Sequence, residues 1–549
     1  MSKSLSIVLA QLNWLVGDIE GNTERMLQIV TQQQGKADLV MFSELALCGY
    51  PPEDLLLRSD FYQRCVDQLP LLQQASLQIA IMVGHPWREG EKLYNALSVF
   101  SAGKLLDRYF KQSLPNHGVF DEKRYFTPGS QSCVIELKGY RLGMLICEDI
   151  WSPAPVDAVK AAGAEILLSI NASPYHREKP YIRNQLLVGH CQRTKLPLVY
   201  LNQVGGQDDL IFDGCSKVFD AQGQITHHLA AFAEQTTLCQ LKDLDIIPMQ
   251  KPAVGCATEP FAGEYQALVM AVSDYVSKNG FKGALLGLSG GIDSALTLAI
   301  AVDALGKEKV HAVMMPSRHT SELSIRCAQQ QAETQGIKFD VLSIEPMFNA
   351  FMAQLAPLFA DKPVDTTEEN LQARCRGMLL MALSNKFGSI VLTTGNKSEL
   401  AVGYSTLYGD MAGGFDVLKD VPKTLVFKLA EYRNSLSVMK VIPQEVIDRP
   451  PSAELAPKQL DQDKLPPYDI LDGILEGYIE RDESVADLIA CDVTGRYDEA
   501  TVRNVIRLVD INEHKRRQSA IGPRITSRDF GKDRRYPITC GFGRKNWES

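Results

Sequence analysis

A thiol, a carboxylate and an ammonium group at the ends of apolar runs are the parts of an amide-cleaving centre, and this chain carries such a set. In RLGMLICEDIW, Cys147 ends an apolar run and is followed by two acids. In VMFSELALCGYPP, Glu44 lies between two apolar runs just past Ser43, where a solvated carboxylate is not expected. In DRYFKQSLPNHGVFDE, Lys111 follows an aromatic pair and precedes a Pro-Asn turn. Alone, Cys147 reads as a core cysteine, as most buried cysteines are. Together the three types supply a thiolate to attack a carbonyl, a carboxylate to move the proton and activate water, and a cation to steady the oxyanion. No histidine occupies an equivalent strand-end setting, which argues against a Cys/His pair. Glu122 reads equally as electrostatic support for Lys111 or as a solvated surface acid.

A second centre rests on different chemistry. GALLGLSGGIDSALTLAIAVDAL runs a hydrophobic strand into Ser289, Gly290, Gly291, Ile292, Asp293 and Ser294 and opens a helix at once. Paired glycines let backbone N–H groups close on an anion, and the helix N-terminus adds partial positive charge. Ser289 and Ser294 supply hydroxyl donors, and Asp293 is of the type that holds magnesium beside phosphates. The GxxxxGK[ST] pattern is absent, which excludes a Walker A loop. Without that lysine the loop suits a pyrophosphate leaving group better than γ-phosphoryl transfer. Downstream, MPSRHTSE (315–322), TEENLQARCRG (367–377) and LTTGNKSELAVGYSTLYGDMAGGFDVLKDVPKT (392–424) put polar residues at strand ends and helix starts. Thr394 and Glu399 there suit ATP and magnesium, and the glycine-rich YGDMAGGF lets backbone approach a flat ring or a phosphate.

The elements that must position these residues follow from periodicity. Up to about Leu241, β-rich runs (SIVLAQLN, DLVMFSEL, IAIMVGHP, ALSVFSAG, RLGMLICE, EILLSINA, PLVYLNQVGG) alternate with amphipathic stretches such as 22–34 and 62–75. That mixture predicts a layered α/β domain over 1–244. DIIPMQKPAVGCATEP, with three prolines and no periodicity, opens a predicted linker over 245–264. From 265 to 549, helices predicted at 265–279, 294–305, 321–336 and 369–387 alternate with strands GALLGL, HAVMMP, FDVLSI and SIVLTTGN. Such alternation means βαβ units and a doubly wound parallel sheet. The tail holds six prolines between Pro443 and Asp472, then charged, mostly helical sequence to about Arg517, then an irregular basic end.

At 549 residues the chain exceeds one hydrophobic core and predicts two or three domains. Its 57 Lys+Arg against 66 Asp+Glu give a net charge of −9, which argues against nucleic-acid binding through a broad basic surface. No run of about 18 apolar residues occurs, so a membrane span is not expected, and the N-terminus has no signal-peptide core. Twelve cysteines are scattered without a CxxC pair, which predicts neither a disulfide framework nor a zinc ribbon and suggests a reducing, cytoplasmic setting.

Over roughly residues 4–240 the Glu44, Lys111 and Cys147 motifs, in that order, resemble the nitrilase (carbon–nitrogen hydrolase) superfamily. The resemblance implies an αββα sandwich, with Glu44 as general base, Lys111 as oxyanion stabiliser and Cys147 as the nucleophile that forms a thioester. Ser173 and Lys179 in NASPYHREK match glutamine-contacting positions of its glutaminase branch, which usually has Tyr where this chain has His117. SGGIDS resembles the pyrophosphate loop of the adenylating ATP-pyrophosphatase superfamily. The later stretches, over 265–530, resemble the glutamine-dependent NAD synthetase family. That resemblance implies Thr394 at ATP, Asp293 and Glu399 at magnesium, and Asn370, Glu399, Tyr404 and Lys515 (in HKRRQSAIGPRIT) at deamido-NAD+. It also implies ATP, glutamine and deamido-NAD+ as substrates, no tightly bound prosthetic group, and a homo-oligomer. The rivals are another adenylating glutamine amidotransferase, a non-catalytic sensor with the same folds, and an enzyme whose working donor is free ammonia.

Overall fold

The computed structural model describes residues 3–249, 259–360, 362–456, 459–492 and 495–542. The chain divides into two compact units, Met1–Gly263 and Glu264–Ser549.

In the first unit the strands are β1 (Ser4–Gln11), β2 (Leu39–Met41), β3 (Ala80–Glu89), β4 (Lys92–Ser101), β5 (Lys104–Phe110), β6 (Val134–Leu137), β7 (Tyr140–Ile146), β8 (Ile166–Asn171), β9 (Leu198–Asn202), β10 (Val204–Gln207), β11 (Leu210–Asp213), β12 (Lys217–Phe219), β13 (Ile225–His228), β14 (Gln235–Lys242) and β15 (Asp245–Ile247). Seven form one sheet in the order β15-β14-β1-β2-β3-β4-β5 and six another in the order β13-β12-β9-β8-β7-β6, while β10 and β11 pair as a separate hairpin. The helices are α1 (Ile19–Gln33), α2 (Ser59–Ala75), α3 (Pro153–Ala161) and α4 (Lys179–Thr194). Side chains alternate across each strand, so one strand feeds two cores. Leu5, Ile7 and Leu9 of β1 join Leu142, Met144 and Ile146 of β7 in a core between the sheets. Val8 and Ala10 face the other way, into a core with Met26 and Val30 of α1 and Phe61 and Cys65 of α2. Behind the second sheet, Leu145 and Leu167 pack with Val156 and Val159 of α3 and Leu187 and Cys191 of α4. The layers therefore run helix, sheet, sheet, helix, as the sandwich expectation requires.

The predicted linker needs correction at both ends. Asp245–Ile247 extends the first sheet, antiparallel to β14, because Asp243 and Leu244 both adopt positive φ and turn the chain back. A helix, α5, already begins at Ala262 and runs to Lys278; residues 250–258 of that linker lie outside the described residues. Among the described residues ten cysteines are free, but Cys215 is disulfide-bonded, which the scattered spacing did not predict.

In the second unit five parallel strands, β16 (Ala284–Gly287), β17 (Val310–Met314), β18 (Lys338–Val341), β19 (Ile390–Thr393) and β20 (Phe415–Asp416), stand in the order β18-β17-β16-β19-β20. The first strand in sequence is central, and the winding direction reverses beside it, between β16 and β19. Open α/β sheets place ligands outside the carboxyl ends of the strands at such a reversal. The helices that matter below are α6 (Ile292–Leu305), α7 (Glu322–Gln335), α8 (Glu345–Phe359), α9 (Thr366–Phe387), α10 (Lys397–Val402) and α11 (Lys423–Ser435). Among the described residues no helix is long and apolar enough to cross a membrane.

Candidate functional site

At the first site Glu44 follows β2, Lys111 follows β5 and Cys147 follows β7. The fold thus brings three strand ends together. Glu44 and Lys111 are buried, and the Lys111 ammonium donates to Glu44 Oε1 at 2.7 Å and to Glu122 Oε1 at 2.8 Å. Glu44 also accepts from Asn95 Nδ2 at 2.8 Å and, through Oε2, from the backbone N–H of Ala172 at 3.0 Å. Tyr50 donates its hydroxyl to Glu122 at 2.9 Å. The choice left open for Glu122 is settled: it is buried against Lys111 and is no surface acid. Gly84 of β3 is obligatory behind this loop, since a Cβ there would stand 2.4 Å from Leu45 N and 2.6 Å from Ser43 O.

Cys147 is only 4% exposed and takes a φ of 44°, a left-handed conformation that costs a non-glycine residue about 1 kcal/mol or more. It opens a short 3₁₀ turn, Cys147–Trp151, directly off β7. Burial pushes its thiol well above 9.0, and the Glu44 charge adds to that; the Lys111 charge and the Ala172 N–H pull it back. Burial would depress the Lys111 ammonium, but Glu122 and Glu44 outweigh burial and hold it well above 10.5. Glu122 is pushed up to about 7 by burial, opposed by Lys111 and reinforced by Glu44. A sulfur, a shared cation and two carboxylates buried together suit attack on an amide carbonyl.

The residues implied for glutamine differ in setting. Ser173 is buried, its N–H bonded to Asn202 Oδ1 at 2.9 Å. Lys179 starts α4 with its ammonium 3.5 Å from the centre of the Trp151 ring, in the turn that Cys147 opens. His117 is exposed, edge-on to Phe120 in the loop after Lys111.

At the second site a cavity of about 490 Å³ opens at the carboxyl ends of β16, β17 and β19. Ser289, Gly291, Ile292, Asp293, Ser294, Asn370, Thr394, Glu399, Tyr404 and Lys515 all line it. Gly290 does not, yet its φ of 79° makes the turn, and a Cβ there would meet Ser324 O at 2.3 Å. The Ser289 and Ser294 hydroxyls are 3.0 Å apart, and Ser289 Oγ accepts from Gly291 N–H at 3.2 Å, which braces the loop internally. Asn370 Oδ1 accepts from Thr406 Oγ1 at 2.8 Å. Lys515 reaches back to the carbonyls of Gly403 and Ser405 at 2.7 and 2.9 Å, beside Tyr404.

Three residues that line the candidate site were missed in the sequence. Lys423 stands buried between the two acids, donating to Asp293 Oδ2 at 2.5 Å and to Glu399 Oε1 at 2.9 Å. Burial would depress it, but Asp293 and Glu399 together raise it. Glu399 is pushed up to about 8 by burial, against the pull of Lys423. Arg449 donates to the Gly290 carbonyl and, at 2.8 Å, to Ser324 Oγ, tying a proline-rich strap to the loop. Asp416, which burial pushes up to about 7, lines the same cavity. Lys423 and Asp416 lay inside a stretch already marked as polar and glycine-rich; Arg449 lay in the tail, where proline masked any pattern.

Among the described residues no three His, Cys, Asp or Glu side chains group to hold a metal by themselves. The donor set still fits magnesium, which takes one or two carboxylates and completes its shell with phosphate oxygens and water. Asp293 and Glu399 already share one cation, the Lys423 ammonium, so the pair is shaped around positive charge.

Comparison with known proteins finds both domains. Residues 7–247 match the carbon-nitrogen hydrolase family and residues 264–519 the NAD synthase family. The glutamine-dependent NAD(+) synthetase of Acinetobacter baylyi is 52% identical, with 98% of this chain and 99% of that protein covered. That of Thermotoga maritima is 42% identical over 98% of this chain and 99% of its own. The structure of glutamine-dependent NAD+ synthetase from Acinetobacter baumannii in complex with ADP matches with a TM-score of 0.79 at 49% identity, covering 98% of this chain and 99% of that one. These full-length likenesses, with both domains and both constellations in place, establish that the chain belongs to the family of glutamine-dependent NAD(+) synthetases.

Proposed function

We propose that the two sites carry the two halves of one synthesis. Glutamine-dependent formation of NAD+ is the activity of the family, and the chain is a ligase of that kind. At the first site the Cys147 sulfur attacks the side-chain amide of glutamine, Glu44 takes the thiol proton and passes it to the departing nitrogen, and Lys111 steadies the oxyanion. Ammonia leaves, a thioester remains on Cys147, and water activated by Glu44 releases glutamate and the free thiol. Ser173, Lys179 and His117 hold the glutamine. At the second site the nicotinate carboxylate of deamido-NAD+ attacks the α-phosphorus of ATP, and pyrophosphate leaves in the cradle of residues 289–294. Ammonia then displaces AMP from the adenylate, giving NAD+ and a proton. Thr394 serves ATP, and Asn370, Glu399, Tyr404 and Lys515 serve deamido-NAD+. Asp293 and Glu399 would hold magnesium, which when bound offsets phosphate charge. We also place the enzyme in the cytoplasm as a homo-oligomer.

One observation carries this reading: the Lys111 ammonium, buried between Glu44 and Glu122, lies in the same chain as a phosphate cradle whose acid, Asp293, is held by Lys423. A chain with only one of these needs no second nitrogen-handling site. The test is NAD+ formation from deamido-NAD+, ATP and magnesium, with glutamine or ammonium, in the native chain and in Cys147→Ala. The variant is expected to lose glutamine-driven synthesis by about 10³-fold or more and to keep ammonium-driven synthesis within about twofold. A native chain that forms no NAD+ from either donor overturns the substrate assignment. A variant that still uses glutamine overturns Cys147.

A further inference from the structure

The two acids after Cys147 have different fates: Glu148 is partly exposed, whereas Asp149 is fully buried. The Asp149 carboxylate is filled with donors. Oδ1 accepts from the backbone N–H groups of Gln112 at 3.0 Å and Ser113 at 2.8 Å. Oδ2 accepts from the Tyr109 hydroxyl at 2.8 Å and from the Ile146 N–H at 3.1 Å. Three of these donors flank Lys111 on both sides in sequence, and the fourth immediately precedes Cys147. One side chain thus fastens the end of β5 to the turn off β7.

We propose that Asp149 is a positioning residue of the glutamine site, whose carboxylate sets the Lys111 ammonium against the Cys147 sulfur by pinning the chain around the lysine to the turn that carries the nucleophile. The proposal rests on reading Cys147 and Lys111 as the glutamine-cleaving pair. Asparagine cannot replace the carboxylate, because its amide N–H₂ would meet two of the four donors with no lone pair to offer. Leaving those donors buried and unpaired is resolved by a shift of the chain around Lys111. A displacement of about 1 Å at a reacting group is enough to cost roughly 10²-fold in rate. The turn itself is strained at Cys147, with its φ of 44°, so its conformation depends on such outside ties.

The experiment uses the full chain carrying Asp149→Asn. Four quantities are read: ammonium-driven synthesis, kcat and KM for glutamine-driven synthesis, and the pH dependence of Cys147 alkylation by iodoacetamide. Ammonium-driven synthesis is expected to stay within about twofold, while glutamine-driven kcat falls about 10²-fold and KM changes less than about threefold. The midpoint of alkylation is expected to move to higher pH, because the Lys111 charge that pulls the thiol down has moved. A merely structural aspartate gives another pattern, in which kcat falls only in proportion to the alkylatable fraction of Cys147 and the midpoint stays. That pattern, or an unchanged kcat, overturns the proposal. Should Asp149→Asn fail to fold, Tyr109→Phe removes one of the four bonds while keeping the ring. It is expected to lower glutamine-driven kcat about tenfold with the same upward midpoint shift, and an unmoved kcat and midpoint overturn the proposal. Cys147→Ala is assayed in parallel. Glutamine use surviving in that variant sinks the underlying reading, whereas its loss beside a normal Asp149→Asn sinks only the role of Asp149.

Discussion

Glu122 has two neighbours of opposite sign: Lys111 favours its charged form, whereas burial and Glu44 favour the neutral one. Burial prevails and lifts the carboxyl from 4.5 to about 7. A group whose pKa is higher in the fold than in the unfolded chain favours folding while protonated. That contribution is complete below about pH 4.5 and is lost as the pH rises through about 7. Glu122→Gln is a permanently neutral near-isostere that keeps an acceptor for Lys111. Its melting temperature should fall less than that of the native chain between pH 5 and 8, by a few °C, roughly 2–4 °C for each kcal/mol in a domain of this size. Thermal unfolding of both proteins across that range checks the sign, and parallel curves refute it. The grouping of Glu44 and Lys111 was legible in the sequence because charged groups at the ends of apolar strands have no ready structural explanation, and Cys147 became legible only beside them. Asp149 and Lys423 were not, since their meaning lies in partners such as Ser113 and Asp293, the latter 130 residues away.

The loop of residues 289–294 shows what a short element owes to its neighbours. Its hydroxyls are arranged locally, but its path is fixed by close approach to Ser324 just inside α7 and by Arg449 from the strap. Gly290→Ala is therefore expected to lower NAD+ synthesis with both donors, by about 10²-fold or more, because a displaced cradle misplaces the leaving group. Glutamine hydrolysis assayed alone should survive, and a loss confined to the glutamine-driven reaction refutes this account. The strand–glycine–helix passage was legible because the glycines, the buried strand and the apolar helix agree locally. Edge elements were less so. The three-residue strand β15 alternates exposed, buried, exposed, too short a signal to compete with three prolines read together. Its place is set by pairing with β14 across a tight turn.

Each unit closes its own hydrophobic cores, and each leaves some large apolar side chains in water. No residue of α8 is fully buried, and Phe351 and Leu358 on it are 50% and 77% exposed, as is Met378 of α9 at 68%. Apolar patches left in water mark association sites, so these side chains are the place to test the proposed homo-oligomer. Phe351→Asp with Leu358→Asp should shift the molecular mass in solution, by light scattering, toward the single chain; an unchanged mass places the subunit contact elsewhere. The two-unit organisation was legible because hydrophobic periodicity changes at the proline-rich stretch, whereas this surface was not, since an apolar helix reads the same whether a core or a partner covers it. Separate cores also give the molecule two ways to fail under heat or proteolysis. Under the proposed division of labour, loss of the first unit alone would leave a catalyst that lives on ammonium and spares glutamine. Loss of the second alone would leave a hydrolase that consumes glutamine and returns no dinucleotide, so on that reading the order in which the cores melt decides whether a damaged molecule is merely starved of nitrogen or a drain on it.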